Sequence, residues 1–247
     1  TLYAAMLNSN LKPEDFKTLR LSVSAGEALP ENLCNKWSKI IGSSVLDGIG
    51  STEMLHIFIS NYIDLITPGS SGRPVPSYEV RLIKDDNSEA ETNEVGELEV
   101  KGPTSAISYW NKPEKTKATF VGDWVKTGDK YTKDINGIYK YCGRTDDMMK
   151  VSGQYVSPFE IEEALQSHKY VLEAAVVGKK DKDELLKPKA FVVLNSNNNE
   201  TNLEKELTEH VKNILTPFKY PRWYEFVTSL PKTATGKIQR YKLRIEK

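Results

Sequence analysis

The chain has 247 residues, and its 34 Lys and Arg residues balance 34 Asp and Glu residues, so the formal net charge is zero. A protein that binds a nucleic-acid backbone by overall charge needs a basic excess, so this balance excludes that class of protein. The composition, 38% hydrophobic and 28% charged, is typical of a folded globular protein. At about 150 residues per domain, the length predicts between one and two domains.

The cysteines and histidines are too sparse to predict a metal site. Cys34 and Cys142 lie far apart in the sequence, and the 3 histidines share no local cluster. This pattern fits neither a zinc site nor a disulfide framework, and we expect both cysteines to be structural. So sparse a pair favours a reducing compartment, which predicts a cytoplasmic protein. No apolar stretch approaches the roughly 18 to 20 residues that cross a bilayer, so we expect no membrane partner.

Strand, helix and strand patterns follow one another in the first part of the chain. Residues 19–24 alternate and end in the small residues Ala25 and Gly26, and a helical repeat of apolar residues begins after Pro30. Residues 44–47 form the next short strand pattern. This order predicts an α/β region over residues 1–66, with ligand-binding turns at the carboxyl ends of its strands.

The pattern changes twice more along the chain. Short alternating runs punctuated by Gly and Pro predict an all-β region over residues 67–145, a β-barrel subdomain of the same domain, with a curled sheet as the alternative. Residues 146–247 combine helix starts at Ser157 and Thr201 with strand patterns and an Asn-rich loop at 195–199, which predicts a small α+β domain. Residues 1–145 are therefore interpreted as the end of a large α/β domain that a small C-terminal α+β domain follows.

The sharpest local signal is the segment after the second predicted strand: Gly48, Ile49, Gly50, Ser51, Thr52 and Glu53. Glycines let backbone N–H groups approach a phosphate, Thr52 offers a hydroxyl donor, and the Glu53 carboxylate suits a hard cation. Taken alone, a glycine-rich strand end is also compatible with an ordinary tight turn.

Five further segments accompany this one in a fixed order. They are residues 24–30 before it and residues 96–103, 124–129, 143–147 and 231–237 after it. Together the six segments resemble the adenylate-forming enzymes, the superfamily of acyl-CoA synthetases, luciferases and peptide-synthetase adenylation domains. Residues 47–58 and 150–158 are most similar to the benzoate-CoA ligase branch.

The resemblance implies an ATP-dependent acid–thiol ligase that works in two steps. A small carboxylic acid attacks the α-phosphate of ATP to give an acyl-adenylate and pyrophosphate, and the thiol of coenzyme A then displaces AMP. Mg²⁺ accompanies the nucleotide. The implied acid is aryl, of the benzoate type. A medium-chain fatty acid, a carrier-protein acceptor and a non-catalytic AMP-binding fragment are the alternatives, and the oligomeric state is left open.

The resemblance also assigns residues to the adenine. It implies that Gly26, Glu27 and Ala28 lie along the base, with Asp47 near its exocyclic amine, while a plain β-to-α turn is the alternative. Ile49 stands where the family usually has an aromatic residue, so apolar contact would replace ring stacking on adenine.

Further residues are implied to bind the phosphate, metal and ribose. Thr52 would bind the AMP phosphate and Glu53 the Mg²⁺. Asp129 would accept hydrogen bonds from the ribose hydroxyls, and Arg144 would contact ribose and phosphate; a turn-capping Asp and a surface Arg are the alternatives. Tyr141 would line the same nucleotide edge or pack in the barrel core.

The small domain is implied to move. Asp146 would be the hinge about which it swings between the two steps. In one position it would deliver Lys237, whose ammonium offsets charge on the α-phosphate and pyrophosphate oxygens; a solvated lysine before a terminal helix is the alternative. In the other position, Ser152 and Gly153 would line the tunnel for the pantetheine arm of coenzyme A.

The histidines give weaker signals. His56, with Ile57 and Phe58, could border an aryl pocket, and a packed core histidine is the equal alternative. We expect His168 and His210 to be solvated on helices.

The family's phosphate loop, a Ser/Thr/Gly-rich stretch that ends in Lys, has no match in the 247 residues. We therefore expect these residues to act with an N-terminal portion of the same protein and, by themselves, not to turn over ATP. Benzoate-dependent pyrophosphate release from the purified 247-residue chain, above that of a Lys237→Ala control, would contradict this prediction.

Overall fold

A computed structural model divides the chain into two compact units, Thr1–Tyr141 and Cys142–Lys247. It describes residues 2–7, 9, 11–151, 153–195, 202–216, 218–234 and 236–245. The division falls a few residues before the domain boundary predicted at residue 145, which stays a prediction. Ser152, Thr201 and residues 196–199, on which sequence predictions fell, lie outside the described residues.

The first unit begins with helices and a four-stranded mixed sheet. Its elements in chain order are α1 (Leu2–Leu7), a 3₁₀ turn (Pro13–Phe16), β1 (Ser22–Ala25), α2 (Glu31–Ile41), β2 (Val45–Gly50), β3 (Ile57–Ser60) and β4 (Arg73–Pro74). β1 and β2 are parallel, and β3 and β4 extend the sheet in antiparallel fashion. The predicted strand, helix and strand order is therefore present. The sheet also takes its last strand from the region predicted as barrel.

Helix α2 fixes the first strand of this sheet. Cys34 and Trp37 on the helix are buried, and the Trp37 indole N–H donates a hydrogen bond to Ser22 Oγ on β1 at 3.0 Å. The helix ends at Gly42, whose φ of 79° is a left-handed conformation that glycine adopts without strain. Since the helix holds the start of β1, the carboxyl end of that strand is left to carry a turn.

A second sheet occupies the rest of the first unit. Its elements are β5 (Glu79–Ile83), β6 (Gly96–Lys101), α3 (Pro113–Thr119), β7 (Phe120–Val121), β8 (Trp124–Lys133) and β9 (Tyr139–Arg144), the last of which runs across the division. The strand order is β5-β6-β8-β7, with β9 paired to β8, and closure into a barrel stays a prediction. The all-β interpretation is wrong at α3, where Pro113 in the first turn and the following Glu114 are ordinary helix-start residues.

The second unit is an α+β arrangement with its own core. Its elements are β10 (Met149–Val151), β11 (Gln154–Val156), α4 (Pro158–Gln166), β12 (Val171–Lys180), β13 (Leu186–Leu194), α5 (Leu203–Ile214), β14 (Trp223–Phe226) and α6 (Arg240–Leu243). β12 and β13 are antiparallel, and β14 lies parallel to β13. One apolar cluster joins α4 and α5 to these strands and includes Ile161, Leu165, Val176, Val192 and Leu207.

The predicted start of α4 is confirmed. Ser157 is the N-cap, its hydroxyl oxygen accepts a hydrogen bond from the Glu160 N–H at 3.1 Å, and Pro158 occupies the first helical position. In the described parts of the chain, every helix is too short or too polar to span a bilayer.

Candidate nucleotide-binding site and catalytic residues

The carboxyl ends of β1 and β2 lie side by side. Ser24 pairs with Asp47 and Ala25 with Gly48 in the parallel ladder, so the turn after β1 starts beside the end of β2. Gly26 has a φ of 93°, and both Gly26 and Glu27 are exposed. Ala28, which follows them, is half-buried. The structure thus brings together the two segments that the sequence implied for the adenine.

Asp47 is a buried carboxylate at this edge, only 5% exposed. Its Oδ2 accepts a hydrogen bond from the Leu29 N–H at 3.3 Å, whereas Oδ1 is buried and has no hydrogen-bond partner among the described residues. Burial raises the pKa of Asp47 to about 6, and the hydrogen bond from the Leu29 N–H opposes this rise only in part. An acceptor oxygen is therefore available for a donor that the described residues do not supply.

Asn61, which the sequence did not indicate, anchors the strand that carries Asp47. Its side-chain Nδ2 donates to Asp47 O at 3.0 Å and to Ser70 O at 2.7 Å, and its Oδ1 accepts from Thr67 N–H at 2.8 Å. These bonds satisfy a buried amide and fix the backbone next to the candidate adenine site.

The glycines of β2 are needed for a close approach of β3. A Cβ at Gly48 would lie 2.7 Å from Ile59 O, and a Cβ at Gly50 would lie 2.3 Å from His56 O. Strand β2 continues through Gly50, so the glycine pair is not itself a turn. Ile49 between them is half-buried and packs against the core of the second sheet.

The turn that follows carries the proposed phosphate and metal residues. The Met54 N–H donates to Ser51 O and to Ser51 Oγ, each at 3.3 Å, which closes the turn. Thr52 is exposed and Glu53 is half-buried. The Tyr109 hydroxyl donates a short hydrogen bond to Glu53 Oε1, and the Ala106 N–H donates to Glu53 O at 2.7 Å.

Tyr109 is a site residue that the sequence reasoning missed. It lies far from Glu53 in the sequence, so no local pattern links the two. The Lys115 ammonium lies over the Tyr109 ring at 4.4 Å from its centroid. Burial acts to raise the pKa of Glu53, but the hydrogen bonds from Tyr109 and Ser51 and the charge of Lys115 outweigh it, and the pKa is lowered.

An ionised Glu53 fits the chemistry of Mg²⁺, which takes oxygen ligands and is commonly held by one or two carboxylates together with substrate phosphates and water. In the described parts of the chain, no group of three or more His, Cys, Asp or Glu residues could hold a metal ion. The fit is therefore to a cation that is bound jointly by Glu53 and a nucleotide.

Asp129 lies in a bulge of strand β8, whereas the alternative to a ribose contact in the sequence analysis was an Asp that caps a turn. On β6 and β8, Glu97 pairs with Lys130 and Glu99 with Lys126, so residues 127–129 stand opposite Leu98 alone. Gly128 takes a φ of 72°, and the Thr127 hydroxyl both donates to Leu98 O at 2.9 Å and accepts from Asp129 N–H at 3.1 Å. A bulge of this kind redirects a side chain without ending the strand.

Tyr141 packs against the protein core, in line with one of its two predicted roles. It is half-buried, packs against the core of the second sheet, and its ring lies edge-on to Tyr131 at 5.5 Å. Its role at a nucleotide edge stays a prediction.

The remaining candidates belong to the second unit. Arg144 and Asp146 are exposed, and the Arg144 carbonyl accepts hydrogen bonds from the N–H groups of Asp147 and Met148. Gly153, with a φ of 82°, lies in the hairpin between β10 and β11, where an added Cβ would meet no atom within 4 Å. Lys237 is exposed in the loop before α6.

The histidine predictions fare differently. His56 is exposed, so it is not a packed core histidine, and Phe58 beside it is fully buried in the core. The prediction for His168 is wrong: it lies in the turn after α4 and is only 8% exposed. Its Nε2 lies 3.2 Å from Glu206 Oε1, and its ring lies 4.9 Å from that of His210. Cys34 and Cys142 are both buried, as a structural role requires.

The two units correspond to two family models. The model of AMP-binding enzymes matches residues 1–110, and the model of the AMP-binding enzyme C-terminal domain matches residues 160–237. The chain belongs to the AMP-binding family of adenylate-forming enzymes, and the predicted family and α/β adenylation fold are confirmed.

Individual relatives narrow the similarity to aryl-acid ligases. The chain is 57% identical over 247 residues to a benzoate–CoA ligase of Thauera aromatica, a match that covers 99% of this chain and 47% of that protein. It is 51% identical to a 4-hydroxybenzoate–CoA/benzoate–CoA ligase of Rhodopseudomonas palustris, covering 99% and 46%. A solved anthranilate CoA ligase in complex with anthranoyl-AMP superposes with a TM-score of 0.93 at 48% identity, covering 98% and 47%. The chain spans about half the length of the curated relatives it matches.

Because the pKa of Asp47 is raised, we expect the stability of the fold to depend on pH. Its folded pKa of about 6 exceeds the ordinary value of 3.8, so the folded protein holds a proton that the unfolded chain has lost between these values. The contribution of Asp47 to the free energy of unfolding should therefore be greatest below about pH 4. It should fall, by up to about 3 kcal/mol, as the pH rises through 6.

Asp47→Asn should flatten this part of the pH dependence, and thermal unfolding between about pH 4 and pH 7 measures it. The matched control is Asp64→Asn, which removes an exposed carboxyl group of the same unit. Parallel stability curves for the wild type and Asp47→Asn would contradict the prediction.

Proposed function

We propose that the protein containing these residues is an ATP-dependent, AMP-forming ligase that joins an aryl carboxylic acid of the benzoate type to coenzyme A. Membership of the AMP-binding family supports the adenylation chemistry. The names of three relatives support the choice of acid, since these name benzoate, 4-hydroxybenzoate or anthranilate and the proteins are between 48% and 57% identical to this chain over the aligned residues.

The observation that carries the nucleotide assignment is the unpartnered Oδ1 of Asp47. A buried carboxylate oxygen without a donor costs free energy, and a ligand that supplies an N–H group removes that cost. The exocyclic amine of adenine is such a donor. The neighbouring turn at Gly26 and Glu27 leaves exposed backbone beside this position, where the flat base would lie.

The first step forms a bond from the acid's carboxylate oxygen to the α-phosphorus of ATP, and pyrophosphate leaves. Thr52 would donate its hydroxyl hydrogen to an α-phosphate oxygen, while Asp129 and Arg144 would hold the ribose and phosphate. Lys237 would offset the negative charge that builds on the phosphate oxygens in the transition state. Mg²⁺, held by Glu53 and phosphate oxygens, would neutralise part of the same charge.

The second step forms the thioester bond, as the thiol of coenzyme A attacks the acyl carbon and AMP leaves. Asp146 would be the hinge that exchanges the two faces of the small domain. Gly153 is proposed, with Ser152, to line the path of the pantetheine arm, because a glycine leaves that space open. We also infer a cytoplasmic location, on the support of the sparse cysteines, both of which are buried.

A screen of acids in the full-length protein tests the function. ATP–pyrophosphate exchange should be fastest with benzoate and its hydroxyl or amino derivatives, and slower with hexanoate or octanoate. A preference for the alkyl acids would favour the medium-chain alternative. Binding of AMP in calorimetry, without exchange for any acid, would favour a non-catalytic module.

Lys237→Ala separates the two steps. Loss of the ammonium should slow acyl-adenylate formation by about 10²- to 10³-fold, because one charge-stabilising group is removed from the transition state. Thioester formation from a supplied acyl-adenylate should change little. The matched control is Lys242→Ala, an exposed lysine on the adjoining α6. Unchanged pyrophosphate exchange in Lys237→Ala would contradict the assignment.

A further inference from the structure

The loop that carries Lys237 is a hairpin with a closed base. Lys232 and Ile238 form a β-bridge, and the Gln239 N–H donates to Pro231 O at 2.8 Å. Nearer the tip, Thr233 N–H donates to Lys237 O at 2.8 Å, and the Lys237 N–H donates to Thr233 Oγ1 at 3.0 Å. The backbone on either side of Lys237 is therefore fixed by the hairpin itself, and the direction of the hairpin depends on what holds its base.

Two ion pairs and one apolar contact hold that base to the second unit. The Lys232 ammonium pairs with Glu173 on β12, and Ile238 packs against the apolar cluster of β12 and β13. The second ion pair is bidentate and joins Arg240 to Glu162 on α4. Arg240 Nε donates to Glu162 Oε1 at 3.0 Å, and Nη2 donates to Oε2 at 2.6 Å. A bidentate arginine fixes angle as well as distance, which a lysine cannot do.

Glu162 is suited to be a fixed anchor. It is only 3% exposed, and its Oε1 also accepts a hydrogen bond from the Val176 N–H at 2.8 Å. Both carboxylate oxygens are thus engaged within the core of the unit. Moving the Arg240 guanidinium away would leave the buried Glu162 carboxylate without its cation, which is strongly destabilising. Arg240 therefore stays paired with Glu162.

The same arginine reaches the segment that follows the proposed hinge. Arg240 Nη1 lies 3.7 Å from Asp147 Oδ2. Arg244, just beyond α6, pairs with Asp147 Oδ1 and donates to the carbonyl of Asp146 at 3.2 Å. The C-terminal arginines therefore tie the base of the Lys237 hairpin to the residues directly after the point of rotation.

We propose that Arg240 is a positioning residue that couples the Lys237 hairpin, through Glu162 and Asp147, to the hinge segment. A rotation at Asp146 then moves Lys237 as part of a rigid body and not as the tip of a pivoting loop. This inference rests on the proposed function of Lys237. The physical reason is that a misplacement of about 1 Å in a charged group can slow catalysis by about 10²-fold.

The test is Arg240→Lys in the full-length protein, which keeps the charge and removes the fork. Acyl-adenylate formation should fall by about 10- to 10²-fold, while thioester formation from a supplied acyl-adenylate changes by less than about threefold. The matched control is Arg222→Lys, whose guanidinium stacks over Tyr220 at 3.5 Å outside the hairpin and should affect neither step. Equal loss in both steps would point to general damage and overturn the proposal.

A double variant tests whether Arg240 acts through Lys237. If Arg240 acts through Lys237, the variant Arg240→Lys/Lys237→Ala should be no slower in adenylation than Lys237→Ala alone. Losses that multiply in the double variant would overturn the proposal, as would an unchanged adenylation rate in Arg240→Lys.

Hydrogen exchange separates this inference from the proposed function. Arg240→Lys should speed the exchange of the Thr233, Lys237 and Gln239 amides, while the amides of α5 stay as in the wild type. Unchanged exchange in the hairpin would overturn the coupling, whatever the enzyme's substrate. Absence of acid-dependent pyrophosphate exchange in the wild type would refute the proposed function, and the exchange result would still decide whether Arg240 holds the hairpin.

Discussion

The parallel pairing of β1 with β2 is the constraint from which the first unit's candidate site follows. Parallel strands end at the same edge of a sheet, and Ala25 pairs with Gly48, so the turn at Gly26 lies beside the carboxyl-terminal part of β2. The positions of residues 26–28 relative to Asp47 and Gly48 depend on that register. Asn61 secures Asp47 there, and the glycines of β2 let β3 approach closely enough to support it.

In the second unit, ion pairs position the candidate catalytic lysine, whereas in the first unit strand register positions the candidate site. The Lys237 hairpin has a short apolar base and takes much of its direction from ion pairs at Lys232 and Arg240. One of these pairs is buried, with both oxygens of Glu162 engaged, so it acts more as a fixed joint than as a surface contact. Buried pairs suit such a purpose because they tolerate few alternative geometries.

Local chemistry made much of the fold predictable from the sequence. The start of α4 depends on residues that are close together in the sequence. Ser157 is the N-cap, Pro158 is the first helical residue, and the Glu160 N–H donates to the Ser157 side chain. The order of short motifs likewise predicted the family that the matches then confirmed. Such signals need only neighbours in the chain, and α3 shows that they can be overlooked when the surrounding pattern is that of strands.

Contacts between distant segments could not be predicted in this way. The Tyr109 hydroxyl reaches Glu53 because β6 and the segment after it return past the turn that follows β2. His168 looked like a solvated helix residue, but α5 folds over it and brings His210 and Glu206 into contact. Neither partner is near in sequence, and no periodicity marks the pairing.

The bulge in β8 limits how this strand can vary during evolution. Side chains alternate from face to face along a strand, and the unequal pairing across Glu97 and Glu99 sets which face presents Asp129. Apart from Gly128, whose φ of 72° favours glycine, a substitution between residues 126 and 130 changes one side chain and keeps the register of the others. The loss or gain of a single residue there would turn every later side chain to the opposite face, from the sheet's core to its outside. Related sequences can therefore differ in which residues fill this stretch far more readily than in how many there are.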